Sequence, residues 1–165
     1  MREDEIYLLT KKWVLERKFD ILGGQPPNGT DRFPVIEIKS EENSKKGSRT
    51  SYKPDLIIAT PDFLLIIECK PQFNLGDVDK LREIAQSRSR IKALIEELRQ
   101  RRSLERREHT LAKFSDVALA QRTRFCVAYS GEHRTASNMY SLVFSSDGLK
   151  SSLYYDDSIT EDISD

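Results

Sequence analysis

Apolar positions change period along this chain, and the changes divide it into elements. In residues 3 to 20, Ile6, Leu9 and Trp13 recur at helical spacing, with Phe19 near the edge of the stripe, so a helix is expected there. The run Gly23-Gly24-Gln25-Pro26-Pro27-Asn28-Gly29 is expected to end it. Phe33 to Lys39 alternates Val35, Glu37 and Lys39 against Ile36 and Ile38, the mark of a half-exposed first strand. Residues 40 to 53 are polar and carry Lys45, Lys46 and Arg49. Two apolar runs follow, Asp55 to Ala59 and Phe63 to Lys70, separated by the turn-forming Thr60-Pro61-Asp62. Pro71 ends the second run, and Gly76-Asp77 introduces one long helix expected over residues 78 to 107. Arg124 to Ser130 predicts a buried strand. Tyr140 to Tyr155 predicts a hairpin turning at Ser146-Asp147-Gly148. The pattern implies one domain over residues 1–155 and an acidic tail over 156–165, with no internal repeat.

The middle hairpin carries the candidate chemistry. If its loop is symmetric about Pro61 and Asp62, paired residue numbers sum to 123, and Asp55 stands opposite Glu68. Directly opposed side chains share a face with Cβ atoms about 5 Å apart. Glu68 and Lys70 share that face by alternation, and Cys69 points away. Two carboxylates and an ammonium thus converge at the end of an otherwise apolar hairpin. Opposed like charges destabilise a sheet, and a divalent cation between them removes the penalty. Asp and Glu are hard oxygen ligands suited to Mg²⁺, which usually takes one or two protein carboxylates and keeps several waters. A second E-x-K sequence, Glu37-Ile38-Lys39, has no partner acid in register and reads as part of a strand.

Pro54, Asp55, Glu68 and Lys70 in this arrangement resemble the active site of the PD-(D/E)xK nuclease superfamily, the restriction-endonuclease-like fold. The resemblance is firm over the hairpin and looser over residues 3 to 130. It implies an α/β fold, a restriction-endonuclease-like core with a central mixed β-sheet flanked by helices in αβββαβ order. It implies Mg²⁺, with Mn²⁺ as a substitute, held by Asp55, Glu68 and the backbone carbonyl of Cys69. Lys70 is then expected beside the attacking water. A further acid from the first helix is implied as well; Glu16, between Trp13 and Phe19 on the helical wheel, is the candidate. Gln86 matches a glutamine that some relatives carry, but Arg90 stands where a tyrosine usually accompanies it. The implied activity is metal-dependent endonucleolytic hydrolysis of DNA. An inactive nucleic-acid-binding or assembly subunit and a nuclease acting on RNA remain the alternatives. A homodimer would suit cutting both strands of a duplex.

Charge changes this picture only locally. The chain has 27 basic and 27 acidic side chains and no net charge. Residues 80 to 113, however, hold eleven basic side chains against five acids, and the stretch after Asp147 is acidic. Arg82, Arg88 and Arg90, with Lys45 and Lys46, are the candidate backbone contacts, because Arg and Lys neutralise phosphates without regard to sequence. The rival reading is a solvated helix face laced with pairs such as Glu97 and Arg101. Two cysteines do not make a disulfide framework, and with His109 and His133 they show no zinc-ligand spacing. No membrane span or signal peptide is evident, so a reducing cytoplasm is the expected home.

Overall fold

A computed structural model describes residues 1–27, 31–39, 51–105, 110–161 and 163. Helix α1 (Glu3–Glu16) leads into a seven-stranded sheet: β1 (Asp20–Gly24), β2 (Leu56–Ala59), β3 (Leu64–Cys69), β4 (Thr123–Ser130), β5 (Tyr140–Phe144), β6 (Ser151–Tyr155) and β7 (Ser158–Thr160). Between β3 and β4 come α2 (Leu75–Gln86), α3 (Arg88–Gln100), a 3-10 turn (Thr110–Lys113) and α4 (Asp116–Gln121). The strands lie in chain order. β2 is antiparallel to β1 and β3, the parallel run is β3-β4-β5, and β6 and β7 return antiparallel. The protein is therefore α/β with a mixed sheet.

The strands β2 and β3 are apolar on both sides because both faces of the sheet are covered. Ile57 and Ile66 face α2 and α3 through Val78, Leu81, Ile84, Ile91 and Leu94. Ile58, Leu65 and Ile67 face α1 through Ile6, Trp13 and Val14. The result is three layers, with the carboxylates at the exit of a hairpin whose apolar strand residues are buried.

Four expectations need correction. The first helix ends at Glu16 rather than residue 20. Lys18 adopts a left-handed conformation (φ 59°), and the chain turns into β1. The first strand is β1, not 33–39, which makes only an isolated bridge between Ile38 and Tyr52. Its alternation is still real: Ile36 and Ile38 are buried and Val35 is exposed. The long helix is two helices, broken at Ser87, whose extended backbone and Oγ cap α3 at the N–H of Arg90. The tail reading gives way over Ser158–Thr160, which pairs with β6, and Ile163 is buried. The hairpin at 140–155 forms as expected, with Gly148 supplying a positive φ of 73° in its turn.

Candidate active site

The β2-β3 register decides the site. Leu56 pairs with Ile67, Ile57 with Ile66, Ile58 with Leu65 and Ala59 with Leu64, so every pair sums to 123. Continued by one residue, the register sets Asp55 opposite Glu68. Asp55 is 9 % exposed, and its Oδ2 accepts the Cys69 N–H at 2.7 Å. The carboxylate thus locks onto the end of the neighbouring strand. Cys69 points its thiol the other way, into the α1 side, where Sγ meets Thr10 Oγ1 at 3.7 Å. The alternation places Glu68 and Lys70 together, and Lys70 Nζ lies 3.7 Å from Glu68 Oε1.

Three neighbours complete the site. Tyr52 donates its hydroxyl to Glu68 Oε2. Lys80, on α2, lies 4.9 Å over the Tyr52 ring, and its charge favours the ionised form of Glu68. Glu3, in the first turn of α1, sits 3.6 Å from Lys70 Nζ. Asp77, in the first turn of α2, adds a further negative charge that both Glu68 and Lys70 feel.

The electrostatics are those of a crowded anionic pocket. Burial pushes the Asp55 carboxyl up to about 8, with Glu68 opposite adding to the rise. Burial also raises Glu68, against the opposing effect of the Tyr52 hydroxyl and the Lys70 charge. Burial disfavours the Lys70 ammonium, but Glu68, Glu3, Asp77 and Asp55 outweigh it and push its pKa up. A buried and a partly buried carboxylate that both resist ionisation are short of positive charge. That shortage, on hard oxygen donors, fits a small divalent cation. Asp55 and Glu68 would hold it, which matches the one or two carboxylates Mg²⁺ usually takes. Among the described residues no three His, Cys, Asp or Glu side chains form a ready-made metal cage. Waters and substrate oxygens would fill the remaining positions, as is usual for Mg²⁺.

Of the expected residues, Asp55, Glu68 and Lys70 come together; Cys69, expected to offer its carbonyl, meets Asp55 through its N–H. Glu16 does not join them. It lies at the far end of α1, exposed, beside Lys12 at 3.8 Å. The acid that the first helix brings to the site is Glu3. Arg82 is partly exposed on α2, bonded to Asp79 and the Ser137 carbonyl. Arg88 and Arg90 begin α3, past the end of α2 and eight and ten residues beyond Lys80. Gln86 ends α2. Lys45 and Lys46 lie outside the described residues. Part of the basic run is a laced helix face, with Arg101 on Glu97 and Lys92 near Glu96. Arg99 is structural, tying the carbonyls of Ala112 and Phe114. Tyr52 and Lys80 escape a sequence reading, because only the Ile38-Tyr52 bridge and the packing of α2 bring them to Glu68. No family model, curated protein or solved structure matches the chain.

Proposed function

We propose that this protein is a divalent-metal-dependent nuclease with a restriction-endonuclease-like core, hydrolysing DNA phosphodiesters. The observation that carries the reading is the register that opposes Asp55 and Glu68 and sets Lys70 beside them. The order helix, three antiparallel strands, helices, parallel strand supports the core assignment.

Asp55 and Glu68 hold the cation, Mg²⁺ or Mn²⁺. When bound, the ion polarises a phosphoryl oxygen, eases deprotonation of a water and offsets developing charge. Asp55 is kept in place by the Cys69 N–H, and Glu68 by the Tyr52 hydroxyl, so neither carboxylate must reorganise to meet substrate. Lys70 acts as an ammonium, because its carboxylate neighbours strengthen its hold on the proton. Its role is to orient water and to stabilise charge on the phosphate oxygens. Glu3 holds Lys70 from the other side. Lys80, in the middle of α2, and Arg88 and Arg90, at the start of α3, supply positive charge for the nucleic-acid backbone.

The test is incubation of purified protein with supercoiled plasmid and, in parallel, single-stranded RNA, in Mg²⁺, Mn²⁺ or EDTA. Metal-dependent nicking or linearisation that vanishes in Lys70→Ala supports the reading. Cleavage confined to RNA moves the substrate. Absence of cleavage on both leaves the fold as a binding or assembly module.

A further inference from the structure

A cluster of aromatic and basic side chains lies beside the carboxylates and takes no part in the chemistry proposed for them. The strand registers place it. Glu68 pairs with Val127, Val127 with Ser141 and Ser141 with Tyr154, so all four project from one row on the face that α2 and α3 cover. Three strand spacings of about 4.8 Å put Tyr154 about 14 Å from Glu68. In the next row, the register continued by one residue sets Tyr129 beside Lys70.

The loop between β4 and β5 is fastened over these rows. The Tyr129 hydroxyl accepts the Arg134 N–H at 3.0 Å and donates to the Arg134 carbonyl oxygen at 3.4 Å. Phe73 meets the Tyr129 ring edge to face, with centroids 5.5 Å apart. Arg82 donates to the Ser137 carbonyl oxygen at 3.4 Å, and Thr135 donates its hydroxyl to the Asp157 carboxylate. The fastened loop presents His133 and Arg134. The His133 ring stacks on Tyr154, with centroids 3.8 Å apart and planes 15° from parallel, and both residues stay partly exposed. His133 Nε2 has no hydrogen-bond partner among the described residues, so stacking is what holds the ring. Arg134 is exposed, forms no ion pair among the described residues and lies 5.9 Å over the Phe73 ring.

Flat rings beside an exposed arginine fit a nucleic-acid strand, the rings taking a base and the arginine a phosphate. The state of the strand follows from the same chemistry. In a duplex each base face is covered by its neighbours, and only an unpaired base is free to add to a stack. We infer that the substrate strand is unpaired beside the scissile phosphate, with a base stacked on His133 and a phosphate held by Arg134. The inference rests on the nuclease reading of Asp55 and Glu68 and narrows its substrate. Negative supercoiling favours local strand separation, so plasmid remains a usable substrate.

Fluorescence anisotropy in EDTA tests it, with labelled oligo(dT) and a labelled hairpin duplex of matched charge. The wild type binds the single strand at least about tenfold tighter than the duplex. His133→Ala weakens single-strand binding about tenfold and leaves duplex binding unchanged, while His133→Phe, which keeps a flat ring, stays within about threefold of wild type. Arg134→Ala lowers the slope of log Kd against log salt by about 0.7, the value for one phosphate contact on a single strand. Circular dichroism checks that each variant is folded. Duplex bound as tightly as single strand, no binding of either, or a His133→Ala that binds like wild type overturns the inference. The nuclease reading fails separately, on metal. Single-strand binding by a protein whose Asp55 and Glu68 hold no divalent ion would uphold the stacking site and remove the nuclease.

Discussion

Asp55 is an expensive residue for the metal-free fold. Its carboxyl is ordinarily near 3.8 and is raised to about 8 by burial and by Glu68. Between those values the folded chain holds a proton that the unfolded chain has released. The stability this proton linkage contributes is therefore full below pH 4 and is lost as pH rises towards 8. Asn at this position keeps an oxygen for the Cys69 N–H and removes the charge. In EDTA at pH 8, Asp55→Asn is expected to be more stable than wild type by about 2 kcal/mol, or about 4–8 °C in Tm for a chain of this size. At pH 4 the two should melt together. A thermal scan at both values checks this, and an Asp55→Asn that melts lower at pH 8 would contradict it. Tyr52→Phe removes the hydroxyl that holds Glu68 in place. It should leave the fold intact and weaken Mn²⁺ binding about tenfold, as loss of an outer partner usually does; unchanged affinity in a titration would remove Tyr52 from the site. At this scale Asp55, Glu68 and Lys70 were legible, because a two-residue turn centre sets the register and alternation sets the face. Glu16 was misread because a helical wheel says which side faces inward but not which end of α1 reaches the site. Tyr52 belongs to a segment whose only local signal is polarity, and its position comes from a tertiary bridge.

Element boundaries carry the site as much as its residues do. β1 was read as a helix end followed by a glycine stop, since Ile21 and Leu22 continue an apolar run and Gly23-Gly24 resembles punctuation. The glycines are there for space. A Cβ on Gly23 would lie 2.6 Å from the Ile36 side chain, and one on Gly24 would lie 2.9 Å from the Asp55 carbonyl oxygen. Gly24 thus allows β1 to press against the strand entry that holds Asp55. Gly24→Ala is expected to destabilise by about 1–3 kcal/mol through overpacking. It should also reduce metal affinity, by moving the Asp55 backbone. Denaturant melts and Mn²⁺ titration check the two effects, and a variant as stable as wild type would show that β1 has slack the geometry denies. The break at Ser87 was missed for a different reason. The apolar period runs on through α2 and α3, and only a serine cap marks where one helix ends.

Over the whole molecule, neutrality conceals a division of charge. The carboxylates gather where β2, β3, α1 and α2 meet, and the basic excess lies in α3, with Arg88, Arg90, Lys92 and Arg99 against Glu96 and Glu97. A divalent ion that binds only the folded state stabilises it by mass action, about 2.7 kcal/mol at a hundred times its Kd. Protons compete for the same oxygens, so Mn²⁺ should raise the Tm clearly at pH 8 and scarcely at pH 5, with EDTA reversing the effect. A shift of equal size at both values would place the ion elsewhere. The α/β class and the β2-β3 hairpin could be read from period, whereas the first strand could not. The seventh strand could not, because Ser158–Thr160 is too short to show alternation and pairs only through contact with β6.

On the proposed reading Asp55 and Glu68 share one divalent cation, whatever the substrate. Calorimetric titration of Mn²⁺ into wild type, Asp55→Asn and Glu68→Gln at pH 8 tests it directly. One ion per chain is expected in the wild type. Loss of outer partners alone costs about ten- to a hundredfold, so loss of either carboxylate should weaken binding at least about a hundredfold. No binding by the wild type, or binding that both variants retain, would contradict the claim.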